Sequence, residues 1–459
     1  MRNRTIKYYS TNHKAPEVSF GEALLQGLAP DGGLYLPDSF PLLSHEVLKG
    51  FSGKEYYKIA SAILFKFIGN EISYNELSNL CMDAYNFNVP LEKVYDRKYI
   101  MRLDQGPTAS FKDFAARMMS RLMQHFLAIN NKYLTILTAT SGDTGSAVAN
   151  AFYGLKNINV IILFPEDEVT LMQRKQMTTL QKNIVAISVN GKFDDCQRLV
   201  KKAFLDNSLS HIPLSSANSI NIGRLLPQSI YYFYAWSKLA AQADEKAVFS
   251  VPSGNFGNFM GGLIAKKLGL PVKQFIISTN ANNEVPEYLR SGIYKSISPS
   301  KKCISSAMNV GHPGNLARII ALYGGMMDEN GTIVNEPDLK SMRKDLFAVS
   351  VSDDETRVTI AEVFKKYDIL LEPHGAVAWH AIREYLNSIK HLQSAKQLFI
   401  SLETAHPAKF PEELKQVINI DPLLPASLRD IAGRKENYLS AGTDYEGIKK
   451  IIINHCKTE

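Results

Sequence analysis

Cysteine is scarce in this 459-residue chain and nowhere paired. Cys81, Cys196, Cys303 and Cys456 stand far apart and form no CxxC, which excludes a disulfide framework and a cysteine-based zinc site. The spacing points to free thiols in a reducing compartment, and no metal is expected. Charge of one sign is not in bulk excess either: 52 Lys and Arg stand against 45 Asp and Glu, a net +7. With no Lys/Arg stripe interleaved with aromatics, nucleic acid is not an expected partner, whereas an anionic small substrate suits the mild positive balance. No apolar run reaches membrane-spanning length, and the N-terminal MRNRTIKYYSTNHK lacks the apolar core of a signal peptide. A cytoplasmic protein without a membrane partner is therefore expected. Repeats, low-complexity segments, the P-loop and the G-x-G-x-x-G fingerprint are all missing.

What is present is an alternation of strand-like and helix-like runs. YLTILTAT (133–140), INVIILFP (158–165), NIVAISVN (183–190), AVFSVP (247–252), KQFIISTN (273–280) and QLFISLET (397–404) read as strands. Amphipathic runs at 144–155, 169–180, 192–206 and 223–240 read as helices between them. Such alternation with continuous apolar strands predicts an α/β fold, its parallel sheet covered on both faces. The first ninety-odd residues differ, with a helix and a Pro/Gly/Asp turn cluster in 19–37 and mainly helical residues from 54 to 84. A small α-rich N-terminal domain is expected, its boundary near Tyr95 to Tyr99. Ser352 and Asp353 read as the N-cap region of a helix through Tyr367.

The chemistry concentrates in a few loops. In GPTASFKDFAARMM (106–119), Lys112 stands at the mouth of a helix among small and apolar residues. Such an amine is a candidate for a Schiff base, although a lysine with its stem packed and its head in water fits the same pattern. Two Gly-rich loops follow strands and open helices: TATSGDTGSA (138–147) and SVPSGNFGNFMGG (250–262). Close backbone approach and a helix N-terminus favour a phosphate there, while plain strand-to-helix turns would look similar. In ANSINIGRLLPQ (217–228), Asn221, Arg224 and Gln228 fall on roughly one helical face, and Arg224 could grip a phosphate or remain at the surface. His374 and His406 sit beside prolines and could each be satisfied structural histidines. A threonine ends a strand at Thr404.

These segments, with YYSTNHKAPEVSFGEALLQGLAPDGGLYLP, MNVGHPGNLARI and LETAHPAKF, resemble threonine synthase nearly end to end, in its longer bacterial and fungal branch. That family belongs to the pyridoxal-phosphate fold type II group with tryptophan synthase β and threonine deaminase. Ser110 stands where alanine is more usual, and TNHK replaces a common Thr-Arg-Gly. The resemblance implies a tryptophan synthase β-like α/β fold with two parallel-sheet-based lobes. It divides the chain into an N-terminal domain over 1–96, a catalytic region over 97–440 and a tail helix over 441–459.

It also implies a γ-elimination and β-addition that convert O-phospho-L-homoserine and water to L-threonine and phosphate. Lys112 would hold pyridoxal 5′-phosphate and shuttle protons, and Gly254, Asn255, Phe256, Gly257 and Asn258 would cup the cofactor phosphate. Thr404 would hydrogen-bond an unprotonated ring nitrogen, and Asp143 would meet the cofactor's ring oxygen. Ser141 and Thr144 would hold the substrate carboxylate, Asn221 and Arg224 its phosphate. A phospholyase of the same family releasing 2-oxobutanoate, or a catalytically silent binding protein, are the alternatives. A monomer or homodimer is expected.

Overall fold

The apolar runs form the buried centres of two sheets. The computed structural model describes residues 5–389 and 395–456. The chain opens with a helical unit: α1 (Phe20–Gln26), capped by a Ser19/Glu22 capping box, α2 (Tyr56–Ile68) and α3 (Tyr74–Ala84). An antiparallel hairpin, β1 (Leu91–Tyr95) and β2 (Lys98–Arg102), leads to α4 (Lys112–Ile129). Next come β3 (Leu134–Ala139), α5 (Asp143–Phe152), β4 (Ile158–Pro165), α6 (Leu171–Thr178), β5 (Ile184–Val189), α7 (Phe193–Leu205) and the short β6 (Leu214–Ser215). The second half supplies α8 (Leu226–Leu239), β7 (Ala247–Pro252), α9 (Gly257–Lys267) and β8 (Val272–Thr279). It continues with β9 (Leu346–Ser350), α10 (Asp353–Tyr367), α11 (Pro373–Ser388), β10 (Phe399–Glu403), β11 (Leu439–Ala441) and α12 (Tyr445–His455). Ser352 caps α10 through a capping box with Glu355, as the sequence predicts.

The smaller sheet runs β11-β5-β4-β3-β6 and the larger β9-β8-β7-β10-β2-β1. Every pairing in the two sheets is parallel except β1 with β2. The fold is thus the expected α/β class with two sheet-based lobes and an α-rich N-terminal region. The hairpin makes residues 91–95 the edge strand of the larger sheet, so position 96, where a junction was expected, falls inside its turn. At the other end, β11 pairs with β5, and α12 packs Ile448 and Ile452 against Leu199 and Ala203 of α7. The expected tail over 441–459 therefore completes the smaller lobe; residues 457–459, like 1–4, lie outside the described residues. The C-terminal ends of β3, β7 and β10 deliver residues 140–143, 253–257 and 404–406, the side on which open parallel sheets bind ligands.

Candidate active site

Lys112 is placed by a loop that closes on itself. The Asp113 carboxylate accepts from the Thr108 amide (2.9 Å) and hydroxyl (2.7 Å), and a side chain at Gly106 would collide with it. The same loop is stitched to the end of β10: the Phe111 amide donates to the Thr404 carbonyl (2.9 Å) and the His406 amide to the Ala109 carbonyl (3.0 Å). Lys112 and Thr404 are thereby brought together across 292 residues of sequence. The Lys112 ammonium lies over the Phe111 ring at 4.8 Å and 3.6 Å from Asp143 Oδ2. Burial pulls its pKa below the usual lysine range, and the nearby Lys409 and Arg224 add to this against the opposing pull of Asp143.

Asp143 opens α5 after Gly142, whose φ of +130° and contact with Gln173 leave no room for a side chain. Its carboxylate accepts from Gln173 Nε2 (3.0 Å) and pairs with the fully buried Lys409 at 2.5 Å. Burial alone would raise this carboxyl, but Lys409 and Lys112 outweigh it and hold it well below the usual range. The neighbouring Ser141 and Thr144 are half-buried, with side chains that make no hydrogen bond among the described residues. They stand free beside the helix N-terminus.

The substrate-phosphate pair separates in the structure. Asn221 is fully buried. Its amide donates to the Leu24 and Ser216 carbonyls (2.9 and 3.0 Å), and its oxygen accepts from the Gly223 amide. It caps a 3-10 turn over Ile222–Arg224, and α8 begins only at Leu226 with Pro227, so the expected single helical face does not form. Asn221 holds the turn and docks it on the N-terminal unit. Arg224 is different. It is 3% exposed, donates from Nη1 to the Ala217 carbonyl (2.7 Å), and its buried Nε has no partner among the described residues. Burial pushes it down to about 10, so it remains charged at neutral pH. A buried guanidinium with an unfilled donor is a site prepared for an anion.

The 254–258 loop is a backbone cradle. Phe256 is left-handed (φ 58°) and caps α9, and no backbone hydrogen bond engages the amides of 254–258 among the described residues. The side chains serve the loop itself: Asn255 Oδ1 accepts from the Gly314 amide (3.2 Å), and Asn258 Nδ2 donates to the Pro252 carbonyl (2.8 Å). Asn315 and Arg318, which the sequence reading did not single out, brace the region. Asn315 donates to the Asn255 carbonyl (2.9 Å), and the buried Arg318 ties Tyr35 to Ser219 and Ile220. A Cβ at Gly254 would lie 2.6 Å from the Ala307 carbonyl oxygen. Gly254→Val is therefore expected to lower thermal stability by about 1–3 kcal/mol as well as cofactor affinity, read by melting curves and cofactor titration.

Behind Thr404 lies a buried polar network. Its hydroxyl faces Glu372 Oε1 (3.3 Å); the same carboxylate accepts from the His374 and Gly375 amides and from His374 Nδ1 (2.5 Å). His374 Nε2 accepts from the Ala307 amide (3.0 Å), which fixes the tautomer and links this network to the wall under Gly254. Three donors from 374–375 converge on Glu372, and the Thr404 hydroxyl donates to its Oε1. Burial beside Glu372 pushes Glu403 well up. His406 caps the turn over Pro407–Lys409 and is pushed down to about 4 by burial, Arg102 and Lys409. Both histidines are thus structural.

The fold and this constellation have known counterparts. Residues 7–85 match the model for the threonine synthase N terminus, 89–401 that for pyridoxal-phosphate dependent enzymes, and 375–452 that for the threonine synthase C-terminal region. The chain belongs to the threonine synthase family. It is 42% identical to threonine synthase of Haemophilus influenzae over 92% of this chain and 94% of that one. With the Escherichia coli enzyme the figure is 38% over 98% and 100%. The crystal structure of threonine synthase with bound pyridoxal phosphate from Brucella melitensis superposes with a TM-score of 0.91 at 36% identity, covering 98% and 100%. The family is one of pyridoxal-phosphate-dependent lyases, and the residues here fit that cofactor: a buried lysine, an open amide cradle on a helix N-terminus, and a hydroxyl at a strand end. Among the described residues no helix is long and apolar enough to cross a membrane, and no His/Cys/Asp/Glu group could hold a metal ion.

Proposed function

We propose that the chain makes L-threonine and phosphate from O-phospho-L-homoserine and water. The observation that carries this choice of substrate is the buried Arg224, whose Nε has no partner among the described residues. The cradle over 254–258 can serve one phosphate, and Arg224 supplies a place for a second.

Pyridoxal phosphate held through Lys112 supplies an aldehyde that captures the substrate amine and a ring that accepts electrons from Cα. The amides of 254–258 hold its phosphate at the α9 N-terminus. Thr404, at the end of β10, would hydrogen-bond the ring nitrogen. The α5 N-terminus with Ser141 and Thr144 takes the substrate carboxylate. Lys112 Nζ removes the Cα proton and moves protons at Cβ and Cγ. The Cγ–O bond breaks, phosphate leaves with the bonding pair toward Arg224, and the oxygen of water bonds to Cβ as its proton is released. Residues 1–96 form the wall on the Asn221 side, because Leu24 and Tyr35 are pinned to the loop leading to Arg224.

Incubating the protein and cofactor with O-phosphohomoserine should yield threonine and phosphate in equal amounts. Release of 2-oxobutanoate in place of threonine would identify a phospholyase, and no turnover with cofactor bound would identify a silent binding protein.

A further inference from the structure

Lys409, at the end of LETAHPAKF, has no exposed side-chain surface, and both of its observed partners accept protons. Its ammonium is 2.5 Å from Asp143 Oδ1 and donates to the Thr108 carbonyl at 3.1 Å. The other carboxylate oxygen, Oδ2, is the one that Lys112 approaches at 3.6 Å. One buried carboxylate therefore stands between two ammonium groups and cannot neutralise both. The charges facing Lys112 come from several elements: Asp143 from the α5 N-terminus, Lys409 from the 407–409 turn and Arg224 from the 222–224 turn. Asp113, on its own helix, is turned away to Thr108. Lys409 has the shorter contact and an additional carbonyl, both of which require its protons. Lys112 has one longer contact, an aromatic face and 12% exposure, so it is the amine with less to lose.

We propose that Lys409 is a positioning residue for Lys112: it takes Asp143 as its own counter-ion and leaves Lys112 as the member of the pair that reacts unprotonated. The inference rests on the reading of Lys112 as the cofactor-bearing amine. Lys112 must be a free base both to capture an aldehyde and to accept the Cα proton. Without Lys409, Asp143 would serve Lys112 alone and hold its proton.

The test uses the full chain with cofactor removed. Competitive acetylation of Lys112 across pH, quantified by peptide mass spectrometry, gives the midpoint of its titration. In Lys409→Met the midpoint should rise by about one unit or more, and cofactor uptake at neutral pH should slow about tenfold. Adding Asp143→Asn to that variant removes both charges and should bring the midpoint back down. Asp143→Asn alone should lower it below wild type, and Lys409→Gln, which keeps a donor for the Thr108 carbonyl and removes the charge, should raise it likewise and decides the matter if Lys409→Met does not fold. An unchanged midpoint in folded Lys409→Met, or one that Asp143→Asn fails to lower, overturns the proposal. Borohydride trapping of the bound cofactor in wild type tests the reading underneath it separately: a label on Lys409 in place of Lys112 would refute that assignment, whatever the acetylation shows.

Discussion

Lys112→Ala is expected to lose turnover by about 10⁴-fold or more while the protein stays folded. The loss is large because one side chain serves as both attachment point and proton carrier. The fold should survive because Lys112 contributes little to it. Its contacts are the Phe111 ring and a shared carboxylate that retains Lys409 and Gln173. Its departure also relieves an excess of buried positive charge. Lys112→Arg should fail equally, since a guanidinium keeps its proton and cannot attack an aldehyde. Covalent cofactor attachment, measured by borohydride trapping and mass spectrometry, should vanish in both variants, with far-UV circular dichroism unchanged. An alanine variant that retains turnover would remove Lys112 from the mechanism.

Much of this was legible in the sequence where local pattern and tertiary demand coincide. The apolar strands, the Ser352 cap and the three strand-end loops lie where their residue types place them, because glycine, hydroxyl and β-branched residues carry strong local preferences. Lys409 was not legible. It sits 297 positions from Lys112, in a turn whose composition suits any surface lysine, and only the pairing of 109–111 with 404–406 carries it inward. Asn221 was read onto one helical face with Arg224 and Gln228, but helical spacing was the wrong ruler for a 3-10 turn followed by a helix starting at Leu226. Ser110 adds a buried hydroxyl with no partner among the described residues, two positions from Lys112; its effect cannot be read from local pattern at all. The histidines are the structural groups that their place beside prolines suggested, since their ring nitrogens are engaged with backbone amides.

Arg224→Ala should cost about 2–4 kcal/mol in transition-state binding of the phosphorylated substrate, roughly 30- to 10³-fold in kcat/KM. The arginine is enclosed, charged and short of partners, so an arriving phosphate replaces nothing and satisfies a donor that is otherwise stranded. Arg224→Lys should be impaired less than alanine, because it keeps the charge and loses the planar fork. The two variants also separate binding from electrostatics. Arg224 lowers the proton affinity of Lys112, so alanine should shift the pH profile upward, whereas lysine should leave it near wild type. The damage must be specific to the substrate phosphate. An unphosphorylated amino acid that only exchanges onto the cofactor should still give its spectral change, and cofactor affinity should be nearly unaltered, since the 254–258 amides and not Arg224 form that cradle. Equal losses with both substrates, or a collapse of cofactor affinity, would move the substrate-phosphate role to another basic residue near the site.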